Sequence, residues 1–139
     1  MHNAVFSINP VYVERIYSGE KRYEFRKKCC KRAISRILIY ETAPISKIVG
    51  EVAVLDIITA DPAQLWETTQ YAAGISKSAF DQYFRNKSEG VAYSLGSPVL
   101  YSSPILLQTI GISAPPQSYC YISQEIYEEK VVLQANKRT

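Results

Sequence analysis

The chain has 139 residues, 47% of them hydrophobic and 21% charged, and its 16 Lys and Arg against 13 Asp and Glu leave a formal net charge of +3. That balance excludes wholesale disorder, suits one domain with a sizeable core, and accommodates a phosphate-bearing partner without demanding one. His2 is the sole histidine, and Cys29, Cys30 and Cys120 form no CxxC pair, so a histidine-based triad and a cysteine–histidine metal site are excluded, and no metal or cofactor is expected.

Ala4–Ile8 reads as a short apolar strand. Asn9-Pro10 then opens a helix, with proline suited to its first turn, Val13, Ile16 and Tyr17 at helical spacing and Gly19 as the stop. Tyr23–Lys27 is a second strand, whose alternation puts Tyr23 and Phe25 on one face and Glu24 and Arg26 on the other. Lys21 sits at its mouth. Cys29–Ser35 is a polar, basic connection, and Arg36–Glu41 is a third strand with an apolar centre that suggests burial on both faces. Thr42-Ala43-Pro44 ends it. Lys47–Ile58 is the longest β-like run, and Gly50 within it marks a bulge or a close backbone approach.

A helical middle follows. Asp61-Pro62 has the cap-then-proline form, with Leu65 and Trp66 on an apolar side facing the core. A second helix opens at Ser76 and carries Phe80, Tyr83 and Phe84 on one stripe. Gly90–Leu95 and Pro104–Ile110 read as closing strands joined by a turn around Gly96-Ser97-Pro98. Pro115–Tyr119 is a stiff loop, and the polar stretch from Gln124 is a marginal helix or strand, frayed at Asn136–Thr139. These elements make an α+β fold: a small mixed β-barrel of five to six strands, with a helix after the first strand and a helical insertion before the last strands. The odd cysteine count favours a reducing compartment. With no signal segment and no run of about eighteen apolar residues, the chain reads as cytoplasmic and free of membranes.

The charged run Glu20–Arg26 is either a polar ligand site or a solvated edge strand whose charges resist pairing. The basic window formed by Lys21, Arg22, Arg26, Lys27, Lys28, Lys31, Arg32 and Arg36 is either a nucleic-acid footprint or a solubilising loop. Lys21 can carry a proton if burial or cations lower its pKa; Arg22 and Arg26 push it down and Glu24 up. As a phosphate contact it needs no such tuning. Arg26 offers a fork for phosphate, or a salt bridge to Glu24 or Glu41. Ser7 can reach a base edge or bond the local backbone. Tyr40 and Thr42 end the third strand near the same opening, and packing with a satisfied hydroxyl is the alternative role for Tyr40. Gln117 can read a base edge from its proline-stiffened loop. Tyr93, Tyr101, Tyr119 and Tyr121 suit base stacking, or simply a strand.

Ser7-Ile8-Asn9-Pro10, Ile16-x-x-Gly19-x-Lys21-x-x-Glu24-x-Arg26, Tyr40-x-Thr42-x-Pro44 and Val49-Gly50-Glu51-Val52 together resemble the ASCH domain, a family of the PUA-like superfamily of small β-barrels. The likeness covers residues 4–122 and leaves 123–139 as a C-terminal tail, partly ordered at most. Gly19, Lys21 and Arg26 are its most specific part. It implies a cleft lined by the first helix end, the second strand and the late loops, and RNA or a modified base or nucleoside as ligand, with DNA a second class. Lys21, Arg26 and Lys27 would contact phosphate. Ser7, Glu24, Tyr40, Thr42 and Gln117 would discriminate the base, Glu24 favouring an exocyclic amino group. The rival is a small hydrolase in the same cleft, a nucleoside amidohydrolase or a metal-independent ribonuclease, with Lys21 and Glu24 as acid and base. Family members that act on acylated cytidine carry a lysine, a threonine three residues on, and a glutamate near the second inserted helix. Here Lys21 meets the first, Glu24 replaces the threonine, and Tyr71–Ile75 holds no carboxylate. A third reading is a ligand-sensing regulatory domain that works through a partner on the tail. Oligomeric state is left open.

Overall fold

The computed structural model describes residues 2–133, so the expected fraying at Asn136–Thr139 lies outside the described residues. Its strands are His2–Ile8 (β1), Tyr23–Arg26 (β2), Ile34–Glu41 (β3), Lys47–Ala60 (β4), Gly90–Leu95 (β5), Val99–Ile105 (β6) and Tyr119–Ile122 (β7). The helices are Pro10–Ser18 (α1), Pro62–Thr69 (α2), Lys77–Tyr83 (α3) and Gln124–Ile126 (α4), the last running on as a π-helix over Tyr127–Val132. Local signals explain the helix ends. Asn9, Asp61, Ser76 and Ser123 each accept a backbone N–H at an N-terminus, and Gly19 closes α1 at φ 87°.

The strands form one sheet in the order β2-β5-β4-β3-β1-β7, with β6 added on β4. β1 and β3 are parallel and the other pairs antiparallel. The sheet does not close. β2 and β7 are its two ends, so an open seven-stranded sheet stands where a barrel of five to six strands was expected. The physical reason lies at the seam. There the side chain of Arg26 on β2 bonds the Ser7 and Ser118 carbonyls, taking the place of a backbone ladder.

β4 is long enough to serve both halves, pairing β3 through its first part and β5 through its second. Gly50 fulfils both of its expected roles. The β4–β6 register slips between Ile48 and Gly50, and a Cβ at Gly50 would overlap the Tyr17 hydroxyl and the Val99 carbonyl. β3 is buried on both faces, as its apolar centre predicts: Ile37 and Ile39 enter the inner core with Phe6 and Tyr93, while Leu38 and Tyr40 enter an outer core with Val5, Ile48 and Tyr101. A third core packs Tyr23 and Phe25 of β2 beneath Leu65, Phe80 and Phe84 of the helical insertion. Trp66 leans on Phe80 at 5.0 Å between ring centroids. Tyr83 leaves the expected stripe: Phe80 and Phe84 are buried, whereas Tyr83 is 37% exposed.

Two elements differ from the sequence reading. The strand expected at Pro104–Ile110 lies instead at Val99–Ile105, and Leu107–Ile110 is a 3-10 turn that buries Leu107 and Ile110 three residues apart. β7 occupies the end of what reads as a loop, because β1 offers a free edge: Phe6 faces Tyr119 and Asn3 faces Ile122. Beyond β7, Tyr127 and Val131 are buried in the outer core, while Leu133 is 60% exposed. Among the described residues, no helix is long and apolar enough to cross a membrane.

Glu51 pins this C-terminal segment. Its carboxylate accepts the Tyr101 hydroxyl at 2.7 Å and the Tyr127 hydroxyl at 2.9 Å, and pairs with Arg36 Nε at 3.0 Å. Burial and the facing carboxylate push the Tyr127 hydroxyl up to about 12. Replacing Glu51 with Ala strands a guanidinium and two hydroxyls, so we expect a loss of about 3 kcal/mol in urea unfolding, against about 1 kcal/mol for Tyr127→Phe.

Candidate functional site

The site begins where α1 stops. After Gly19 the chain doubles back, Lys21 N donating to the Arg15 carbonyl at 2.9 Å and Arg22 N to the Ala72 carbonyl at 2.8 Å. These bonds deliver Lys21 beneath the segment after α2. Gly74, at φ 70°, lies directly on the lysine stem, where any Cβ would overlap Lys21 Cβ and Cγ.

Lys21 is therefore only 3% exposed. Its Nζ donates to the Ala73 carbonyl at 3.1 Å and lies 5.2 Å from the Tyr12 ring centroid and 4.9 Å from that of Phe25. Glu24 Oε1 stands 3.9 Å away. Sequence neighbours alone leave the direction of the Lys21 pKa open, and the fold decides it. Burial lowers it, with Arg26 and Arg15 acting in the same sense and Glu24 opposing.

Glu24 Oε2 pairs with Arg26 Nη2 at 3.0 Å. That guanidinium also donates to the Ser7 carbonyl at 3.1 Å and to the Ser118 carbonyl and hydroxyl at 3.2 Å, and it covers the Phe6 ring at 4.5 Å. Its Nε–H is buried and has no acceptor among the described residues. Lys21, Glu24 and Arg26 thus stand in line along a cleft of about 260 Å³ that Tyr12, Phe25, Ile75 and Tyr83 also line. β2 is at the sheet's edge, yet these charges are enclosed, which sets it apart from a solvated protective edge.

Of the residues singled out from the sequence, Ser7, Lys21, Glu24 and Arg26 meet in the cleft wall. The Ser7 hydroxyl donates to the Pro116 carbonyl at 2.6 Å. Lys27 is exposed at the rim, its Nζ 4.8 Å from the Tyr83 ring. Tyr40 is 4% exposed within the outer core, away from the cleft. Thr42 lies in the turn after β3, where its N–H donates to the Ile8 carbonyl, and it is outside the wall. Gln117 is exposed, between the two residues that bond Ser7 and Arg26. Tyr93 and Tyr101 are buried, which removes them from any stacking role.

Sequence reasoning missed Tyr12 and Tyr83 as wall residues. Tyr12 lies one position off the buried Val13–Ile16 stripe of α1, and that flank position was the available signal. Among the described residues, no three His, Cys, Asp or Glu side chains are grouped as ligands for a metal.

The ASCH domain family matches residues 6–115 of the chain. An ASCH domain-containing ribonuclease from Zymomonas mobilis is 31% identical over 134 residues, spanning 94% of this chain and 90% of the relative. The crystal structure of ASCH from Zymomonas mobilis superposes with a TM-score of 0.82 at 30% identity, covering 94% of each chain. The N-terminal domain of Staphylothermus marinus McrB is similar in fold alone, with a TM-score of 0.59 at 16% identity over 94% of this chain and 93% of that one.

The lowered Lys21 pKa makes a signed prediction. Below the native value Lys21 is protonated in both states, and burying its charge weakens the fold in full. Between that value and the unfolded one near ~10.4, the unfolded chain binds the extra proton, so stability rises with pH. In Lys21→Met this contribution is gone. Urea midpoints from neutral pH towards about pH 10 should therefore climb less in the variant than in the parent chain. Parallel pH profiles for the two proteins would contradict the assigned direction.

Proposed function

The chain belongs to the ASCH domain family, and on that premise we propose that its cleft takes one nucleotide of an RNA strand and cleaves the strand there. The observation that carries this reading is the buried Lys21 ammonium 3.9 Å from the Glu24 carboxylate, both opening on the same cleft. A proton donor and an acceptor-only group that face one cleft can serve the leaving and the attacking oxygen of one phosphate. Arg26 supports it: its guanidinium belongs to the wall of the same cleft, and a guanidinium suits the non-bridging oxygens of a phosphate. The volume supports it too, since about 260 Å³ falls just below the ~300–1,000 Å³ of drug-sized pockets and so suits a single nucleotide. The Zymomonas mobilis relative is a ribonuclease, which supports RNA as the substrate class.

In the proposed reaction Glu24 takes the proton of the 2′-hydroxyl, whose oxygen bonds to phosphorus. The P–O5′ bond breaks, and the departing oxygen keeps its electron pair and takes a proton from the Lys21 ammonium. A 2′,3′-cyclic phosphate and a 5′-hydroxyl result. The lowered lysine pKa makes Lys21 the stronger acid, and the rings of Tyr12 and Phe25 keep water from it. Arg26 steadies the charge on the phosphate.

Incubation with a mixed pool of RNA and modified nucleosides in a chelator, followed by mass spectrometry, tests this directly. Cyclic-phosphate ends should accumulate, and Lys21→Ala and Glu24→Gln should each slow their formation by about 100-fold or more. Retention of an RNA species with no new ends would make the chain a reader instead of an enzyme. Hydrolysis confined to free acylated nucleosides would move the same cleft to amide chemistry.

A further inference from the structure

We propose that residues 27–33, the loop between β2 and β3, form a phosphate track for the single-stranded RNA that flanks the nucleotide in the cleft. This inference rests on the RNA reading of the cleft and names the rest of the contact.

Lys27, Lys28, Lys31 and Arg32 are all exposed, and the loop contains no acidic residue. None of the four forms an ion pair among the described residues. Arg36, which closes the same basic window of the sequence, is different: Glu51 and Asn3 engage its guanidinium. With Arg22, which is also exposed, the four loop cations are the part of that window in no ion pair among the described residues.

The loop has no strand or helix, yet tyrosine hydroxyls hold its backbone. Cys30 N donates to the Tyr93 hydroxyl at 2.9 Å, and Arg32 N donates to the Tyr121 hydroxyl at 2.9 Å. A loop whose only task is solubility needs charge but no such clamp, because fixing its backbone costs conformational entropy. A clamp holds the cations at set positions, and a regularly spaced phosphate chain rewards that arrangement.

The track is continuous with the cleft. Lys27 stands over Tyr83, a cleft-wall residue, at 4.8 Å, and at the far end Arg32 lies over the Tyr121 ring at 4.8 Å. Inside the cleft Arg26 bonds Ser118, the residue before Tyr119. A strand leaving the cleft past Tyr83 meets Lys27, Lys28, Lys31 and Arg32 in turn, with the Arg32 guanidinium plane ready to stack a base.

Anisotropy with non-cleavable 2′-O-methyl RNA, as a dinucleotide and as a decamer across a salt series, reads this out. The decamer should bind at least tenfold tighter than the dinucleotide. In the Lys28→Ala/Lys31→Ala/Arg32→Ala variant most of that length advantage should vanish, and the slope of log affinity against log salt should flatten by about 2, from ~0.7 per phosphate contact. Arg32→Lys, restored to the variant, should recover about one contact's worth of slope. The control Lys87→Ala/Lys130→Ala removes two exposed charges elsewhere and should leave the slope unchanged. A triple variant with the parent's slope and length advantage overturns the track while leaving the cleft reading intact. An equal length advantage on duplex RNA overturns the single-strand assignment. Failure of the parent chain to bind either oligonucleotide overturns the cleft reading as well.

Discussion

The guanidinium of Arg26 occupies the gap between the two ends of an unclosed sheet, and the cleft exists because of how it is held there. It starts from β2 at one end, bonds the Ser7 carbonyl on β1 and the Ser118 carbonyl ahead of β7, covers Phe6 from the inner core, and pairs with Glu24. A backbone ladder across this seam would have filled it. A side-chain bridge closes the inner core and still leaves a hollow beside the bridge, with charged atoms in its wall. The same group therefore serves the fold and furnishes the site.

Around that bridge the chain accepts an electrostatic burden. Lys21 is carried almost fully into the protein, with one carbonyl and one distant carboxylate for partners. The faces of Tyr12 and Phe25 offset part of the desolvation, since a cation over an aromatic ring is attracted to it, but they do not abolish the cost. Gly74 is the steric condition for the arrangement, because the backbone has to lie against the lysine stem. Burdens of this kind concentrate at reactive sites, where a shifted pKa is the useful product of burial.

Apart from the exposed Arg22, the basic window of the sequence resolves into three populations with different physics. Lys21 and Arg26 are enclosed and reach the cleft. Arg36 belongs to the Glu51 network that fastens the C-terminal helix to the sheet. The cations of the β2–β3 loop face solvent on a backbone held by the hydroxyls of Tyr93 on β5 and Tyr121 on β7. Charge counting along the chain sees one cluster. The distinction between them is made by burial and by partners 92 residues away for Arg26 and 15 for Arg36.

Interactions within a few residues were legible in the sequence. The Asn9-Pro10 start and Gly19 stop of α1, the alternation of β2, the two-sided burial of β3 and the kink at Gly50 each rest on backbone conformation or periodicity, so residue types alone determine them. The convergence of Lys21, Glu24 and Arg26 followed from the same local geometry, a turn feeding a strand of period two. What lay beyond local reach was set by long-range pairing. Val99–Ile105 became β6 because β4 received it, Tyr119–Ile122 became β7 because β1 had a free edge, and Tyr40 turned to the outer core because β3 is sandwiched. Whether the sheet closed, and in which direction the Lys21 pKa moved, depended on which groups arrived from α2, β7 and the loop before it. Desolvation and sheet closure are properties of the assembled surroundings, so the sequence alone determined the chemistry on offer and the tertiary structure decided which part of it was buried, paired or free.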